Sequence, residues 1–382
     1  MKVIYLIKED IHIYPPCLTQ ILNLKEKGID IIVYHGRTSK QIISIFDKFC
    51  IEHHELYERE IRSKNKNILK IKKWLIYRKK AKKVLKKFKK EIIWFGTADS
   101  AIAVFDKLKG TKYVLSILEL YDNNKFYRTF LGKIVKSAYA IISCEYNRAN
   151  IMKSWWGLKQ TPYVIPNKTC EDILETKFDI DEKIIKELKR HKNILYQGII
   201  SKDRNLILLA EALKELNSDY YLVVMGKNID NSIEKVKSIY DKVIYLGYIP
   251  APNHMLYTKY AYIGIANYDY SSLNNVFCAP NKIYEYSKFS IPILGSDVPG
   301  LKYTIGNSNA GVCVNFDNIE QIKKGITKIE TNYEEFKVNS KKFYDALNIP
   351  EIYERIVKEL IERYDNNNNW LDTNNIIYNG YY

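Results

Sequence analysis

Short apolar runs alternate with longer helical stretches along nearly the whole chain, and the pattern starts twice. In the first half, Lys2–Ile7, Asp30–Tyr34, Glu91–Phe95, Lys112–Ser116 and Tyr139–Ser143 are apolar runs bounded by polar residues, which predicts buried strands. Helical patterns fall between them near Cys17–Gly28, over a basic segment, at Ala98–Leu108 and at Tyr127–Ser137. Tyr163-Val164-Ile165-Pro166-Asn167 is then a strand running into a Pro-Asn turn. The alternation resumes at Asn193–Gly198. Further strands are expected at Tyr220–Met225, Val243–Leu246, Tyr262–Ala266, Ile291–Leu294 and Gly311–Val314. Helices are expected at Arg204–Leu216, Asn281–Lys288, Ile319–Ile329 and Glu334–Leu347.

Strands this apolar, separated by helices, must be covered on both faces, which is the condition of a parallel sheet. With 382 residues the chain exceeds one ordinary core. The expected fold class is therefore α/β, with two Rossmann-like domains of parallel strands facing a central cleft. The expected boundaries are 1–167 for the first domain, 168–190 for a charged, weakly periodic linker and 191–347 for the second domain. A helix over 348–364 is expected to pack back toward the first domain, and the Asn- and Tyr-rich tail 365–382 to be mobile. In such sheets ligands bind outside the carboxyl ends of the strands.

The net charge of +16 sits in one place. Fifteen Lys or Arg and no Asp or Glu fall between Arg62 and Lys90, which leaves the rest of the chain near neutral. Within that segment Ile68, Ile71, Leu75, Ala81, Leu85 and Phe88 recur at roughly helical intervals, predicting a helix with an apolar stripe and a cationic remainder. Lys72, Lys73, Arg78, Lys79, Lys82, Lys83, Lys86, Lys87 and Lys90 then form a candidate surface for anionic lipid head groups. A solvated helix docked on a core and a nucleic-acid surface are the competing accounts, though no nucleic-acid-binding pattern accompanies the charge. No apolar run approaches the length of a membrane span. The first apolar stretch ends at Lys8, too short for a leader, and is expected as a buried strand. Cys17, Cys50, Cys144, Cys170, Cys278 and Cys313 are scattered, as suits reduced thiols in a cytoplasm. No metal site is expected; the His53-His54 pair lacks further ligands nearby.

The stretch Pro280-Asn281-Lys282-Ile283-Tyr284-Glu285-Tyr286 opens a helix at a loop, and a second polar loop, Gly295-Ser296-Asp297-Val298-Pro299-Gly300, follows the next strand. A helix N-terminus offers free N–H groups to an anion, and Glu285 lies about one turn further in. Amides for phosphates and a carboxylate for two adjacent hydroxyls suit a diphosphate joined to a ribose. The stretch resembles the nucleotide-sugar site of the retaining GT-B glycosyltransferases, of the glycosyl transferases group 1 type. It is most similar to the variant of bacterial surface-polysaccharide enzymes that carries PNK, an aromatic, Glu and another aromatic. The resemblance extends to Gly198-Ile199-Ile200-Ser201-Lys202-Asp203-Arg204, where Arg204 falls on the family's diphosphate-contacting cation, and to the glycine-ended strands at Gly226 and Gly247.

What the resemblance implies is residue-specific. Gly198, Lys202, Arg204, Asn281 and Lys282 would bind the donor diphosphate, and Glu285 the ribose. Ile199 stands where the family often has an arginine, and Lys202 would substitute for it. Phe277 stands where the family often has a second glutamate. The first domain departs further: Lys8–Pro16 replaces a glycine-rich loop, and no histidine follows the strand ending at Ser116. Glu119 and Asp99 are the catalytic candidates there, although Asp99 also suits a helix start. The expected function is a cytoplasmic glycosyltransferase held peripherally on the inner face of the membrane. It would move a sugar from a nucleotide-sugar donor to a lipid-linked or surface-polysaccharide acceptor, with retention, and without cofactor, metal or nucleic-acid partner. A nucleotide-sugar epimerase on the same fold, and a catalytically degenerate scaffold or polyanion-binding protein, are the alternatives.

Overall fold

The computed structural model describes residues 1–57, 65–169, 181–204, 206–216 and 219–365. The chain divides into two compact units, Met1–Pro166 with the segment from Ile349, and Asn167–Asn348.

The first unit is built on β1 (Lys2–Leu6), β2 (Asp30–His35), β3 (Glu52–Glu55), β4 (Ile92–Phe95), β5 (Tyr113–Ser116), β6 (Ala140–Ser143) and β7 (Tyr163–Val164). These pair in the order β3-β2-β1-β4-β5-β6-β7, parallel throughout. Every residue of β4, β5 and β6 is buried, so these strands carry continuous apolar runs with no alternation. β3, by contrast, is Glu-His-His-Glu on the sheet edge and largely exposed, so no hydrophobic run announces it. The helix Ile349–Asp365 belongs to this unit. It buries Tyr353, Ile356 and Leu360, and its Glu359 accepts a hydrogen bond from Tyr163.

The second unit holds β8 (Lys192–Gln197), β9 (Tyr220–Met225), β10 (Val243–Gly247), β11 (Ile263–Ala266), β12 (Ile293–Ser296) and β13 (Gly311–Val314) in the parallel order β10-β9-β8-β11-β12-β13. Neighbouring β8 residues enter different clusters: Ile194 joins one with Leu209, Leu213 and Ile326, and Leu195 another with Ile283, Tyr286 and Leu301. That alternation places a core on each face of the sheet. Two parallel-sheet α/β units are the fold class expected from the sequence.

In both sheets the strand order reverses beside the first strand, between β1 and β4 and again between β8 and β11. Connections diverge at such a point, which leaves a crevice at the carboxyl ends of the two central strands. At β8 the backbone is shaped for it. Gly198 and Gly226 adopt φ of +137° and +156°, and a Cβ on Gly226 would lie 1.6 Å from the Gly198 carbonyl oxygen. Only glycine permits the two strand ends to approach this closely.

Two expectations need correction, and others fall outside the described residues. The linker does not run to Arg190: Glu182–Leu188 is a helix that buries Leu188, capped by Asp181, and residues 170–180 lie outside the described residues. Its short length and mostly charged surface hide the helical period. The tail also lies outside the described residues from position 366 on, as do Arg62 and Lys64 of the basic segment. Finally, the apolar stripe of the basic helix, Lys66–Lys87, is not one docked seam. Tyr77, Ala81, Val84 and Leu85 are buried, whereas Ile68, Ile71 and Leu75 are 46%, 59% and 54% exposed.

Candidate active site

The crevice of the second unit is assembled from the ends of β8 and β11 and from the helix Asn281–Lys288. Pro280 is the N-cap of that helix, in an extended conformation immediately before Asn281. The Asn167 side-chain amide holds the preceding loop by donating to the Ala279 carbonyl at 2.7 Å. Asn281 then opens the helix, half-exposed.

Lys282 turns inward and is 9% exposed. Its Nζ lies over the Tyr196 ring at 4.4 Å and the Tyr268 ring at 5.7 Å. The absent side chain of Gly198 makes the room: a Cβ there would sit 3.2 Å from Nζ. Among the described residues no carboxylate pairs with this ammonium and nothing accepts its hydrogen bonds. Burial, and then the neighbouring Arg204 charge, bring the Lys282 ammonium down to about 7, against the partial pull of Glu285. Arg204 reaches the same place from the other side. Its guanidinium lies 4.7 Å over the Tyr268 ring and donates from Nη1 to the Asn267 carbonyl at 3.2 Å. Asn267 returns a bond to the Arg204 carbonyl and accepts from the Ser296 hydroxyl at 3.2 Å. Two basic groups thus share one aromatic wall, and their mutual repulsion is relieved by loss of the Lys282 proton or by an anion placed between them.

Glu285 is buried beside them, 6% exposed. Gln197 donates to its Oε2, and His254 Nε2 lies 3.1 Å from its Oε1. The Gln197 amide is itself oriented by Thr258, whose hydroxyl is 2.8 Å from the amide oxygen. Lys202 is not part of this group. Its side chain is exposed, and its backbone N–H donates to Asp230 at 2.7 Å. Gly198, Arg204, Lys282 and Glu285 therefore converge, Asn281 sits at the helix start beside them, and Lys202 faces elsewhere. Tyr196, Gln197, His254, Thr258, Asn267 and Tyr268 were not anticipated. Gln197 ends β8 and Tyr268 lies just beyond β11, positions from which both were findable; His254 sits in a loop that carries no signal.

In the first unit Asp99 is committed. One oxygen pairs with Lys8, and the other accepts from the Tyr127 hydroxyl at 2.6 Å; Lys8 also meets Glu9 at 3.0 Å. Asp99 lies in the first turn of Ala98–Ile102, where Thr97 holds the N-cap position. Burial and the Asp99 contact push the Tyr127 hydroxyl up. Glu119, after β5, is exposed and has no partner among the described residues. In the basic helix Lys72, Lys79, Lys83, Lys86, Lys87 and Lys90 are exposed, and Lys82 is half-buried. Arg78 is withdrawn from the candidate lipid surface, since it donates to the Ala103 carbonyl at 2.6 Å and pairs with Asp106 at 2.9 Å. Lys73 leans toward Glu9, 3.8 Å away. No helix among the described residues is long and apolar enough to cross a membrane.

Two parallel-sheet units, each with its strand order reversing beside the first strand, define an α/β protein of GT-B type. Residues 177–343, which contain the converging side chains, match the family model described as Glycosyl transferases group 1. No curated protein matches the chain. Among solved structures the chain is similar to Anabaena HepE in complex with UDP and glucose, at 12% identity and a TM-score of 0.70, covering 95% of this chain and 100% of that one. It is also similar to sucrose-phosphate synthase from Thermosynechococcus elongatus, at 13% identity and 0.68, with 95% and 100% covered. A putative UDP-N-acetylglucosamine 2-epimerase from Listeria monocytogenes matches at 12% identity and 0.59, with 98% of each chain covered. These structural likenesses show the GT-B-type fold, and the family match lies over residues 177–343.

Proposed function

We propose that the protein transfers a sugar from a nucleoside-diphosphate donor to a lipid-linked or surface-polysaccharide acceptor, with retention at the anomeric carbon. The observation that carries this is the pairing of Lys282 with Arg204. Two cations face one aromatic wall, no described carboxylate pairs with Lys282, and Glu285 lies a turn away. A diphosphate supplies the missing negative charge, and the Asn281–Lys288 helix start adds unpaired N–H groups. The same groups take up the charge that develops on the leaving diphosphate as the sugar carbon becomes oxocarbenium-like. Similar solved structures that hold UDP or UDP-glucose support a uridine nucleotide as the first donor to try.

In the first unit Glu119 is the free carboxylate available to an acceptor, while Asp99 serves to hold Lys8 and Tyr127. The exposed lysines of Lys66–Lys87, beside exposed Ile68, Ile71 and Leu75, support binding at the anionic inner face of a cell membrane, where a lipid-linked acceptor resides. The test is incubation with radiolabelled nucleotide sugars and a bacterial lipid extract. Label is expected in the lipid fraction with at least one donor. Donor converted with no label reaching the lipid fraction would replace transfer with epimerisation or hydrolysis.

A further inference from the structure

Glu285 is held from two sides before any ligand arrives, and one of the two holders lies in no recognised motif. The short helix Met255–Thr258 supplies both groups, His254 as its N-cap residue and Thr258 from its last position. Thr258 fixes the orientation of the Gln197 amide by approaching its oxygen at 2.8 Å, and that amide donates to Glu285 Oε2. His254 Nε2 approaches the other oxygen at 3.1 Å. The remaining ring nitrogen, His254 Nδ1, is buried and has no hydrogen-bond partner among the described residues. An imidazole protonated at Nε2 alone satisfies this arrangement, because it donates to the carboxylate and leaves a lone pair, not an N–H, unpaired.

A carboxylate offers roughly four lone-pair sites. One on each oxygen is already filled, so one on each remains. Two acceptors on adjacent oxygens, at a fixed tilt, are complementary to two adjacent hydroxyls. Without the bracket the carboxyl group turns about its last torsion, a broad and soft rotation, and the pair of acceptors loses its direction. The geometry points to His254 as a positioning residue that, with Gln197, locks Glu285 for recognition of the vicinal diol of a ribonucleotide and so selects ribo- over 2′-deoxyribonucleotides. This rests on the nucleoside-diphosphate site proposed above, and its test separates the two.

UDP, GDP, ADP and CDP are titrated calorimetrically into the full-length protein, and the tightest binder is compared with its 2′-deoxy counterpart. The wild-type protein is expected to prefer the ribonucleotide by roughly ten- to a hundredfold, the size of one charge-assisted hydrogen bond. His254→Leu should bring that ratio close to one while changing the 2′-deoxy affinity little, and His254→Gln, which keeps an N–H donor, should restore much of it. A merely structural His254 would move stability without moving the ratio. Circular dichroism and thermal melts establish that each variant is folded. Should His254→Leu not fold, Thr258→Val releases the Gln197 amide and should lower the ratio in the same direction. A folded His254→Leu or Thr258→Val protein that keeps the wild-type ratio overturns the inference and leaves the diphosphate site standing. Failure of the wild-type protein to bind any of the four overturns both.

Discussion

Lys282 is the side chain whose state most depends on a ligand. In the folded chain its ammonium is brought to about 7 by burial and by Arg204, against 10.5 for a free lysine. Between those two pH values the unfolded chain carries the proton and the folded chain sheds it, so this group makes stability rise with pH across that window. Replacing it by Met should therefore stabilise the empty protein by about 1–2 kcal/mol at pH 7 and flatten the dependence of Tm on pH above 7. The same change should weaken nucleoside-diphosphate binding by about a hundredfold or more. Binding has its own signature, because a diphosphate returns the lysine toward its ordinary range. At pH 8 complex formation should take up close to one proton, read from calorimetry in two buffers of different ionisation enthalpy, and affinity should fall as pH rises above 7. No proton uptake would contradict the buried, uncompensated ammonium.

Much at this scale was legible in the sequence: Arg204, Lys282 and Glu285 fall together as the motif spacing requires. Spacing alone cannot say which way a loop side chain turns, and Lys202 is exposed, away from the group around Glu285. His254 stayed hidden because it reaches Glu285 through folding and not through sequence proximity.

The two strand ends at Gly198 and Gly226 set the shape of the crevice. Gly226→Ala would force a methyl group to 1.6 Å from the Gly198 carbonyl oxygen, in a backbone conformation unsuited to a side chain. Unfolding in urea should show a loss of at least about 2–4 kcal/mol, with nucleotide binding lost even where the variant remains folded. The basic helix is anchored by Tyr77, Ala81, Val84 and Leu85 and by the Arg78–Asp106 pair, while Lys79, Lys83, Lys86 and Lys87 are free of that work. Changing those four to Gln should leave Tm within a degree or two. It should weaken sedimentation with vesicles containing phosphatidylglycerol by about a thousandfold, at roughly 1 kcal/mol per charge. Unchanged vesicle binding would assign the helix to the fold alone. Most strands of both sheets were readable because they are short apolar runs, fully buried in β4, β5, β6, β11 and β12. The edge strand Glu52–Glu55 and the helix Glu182–Leu188 were not, since neither buries enough to leave a period.

At the scale of the whole molecule, sequence composition and fold agree on where each property resides. Most of the net charge belongs to the segment around one helix of the first unit, and the anion-seeking pair Lys282 and Arg204 to the second unit. Alternation of strand and helix predicted two parallel sheets. It did not disclose the strand order, which is set by long-range pairing; that order puts β1 beside β4 and β8 beside β11 and so locates both crevices. Thermal denaturation with a panel of nucleotide sugars tests the central claim most directly. A donor at a hundred times its dissociation constant should stabilise the wild-type protein by about 2.7 kcal/mol, seen as a rise in Tm, and Arg204→Ala should abolish the rise at the same concentration. No rise with any nucleotide sugar, or an equal rise in Arg204→Ala, would contradict a diphosphate site at the end of β8.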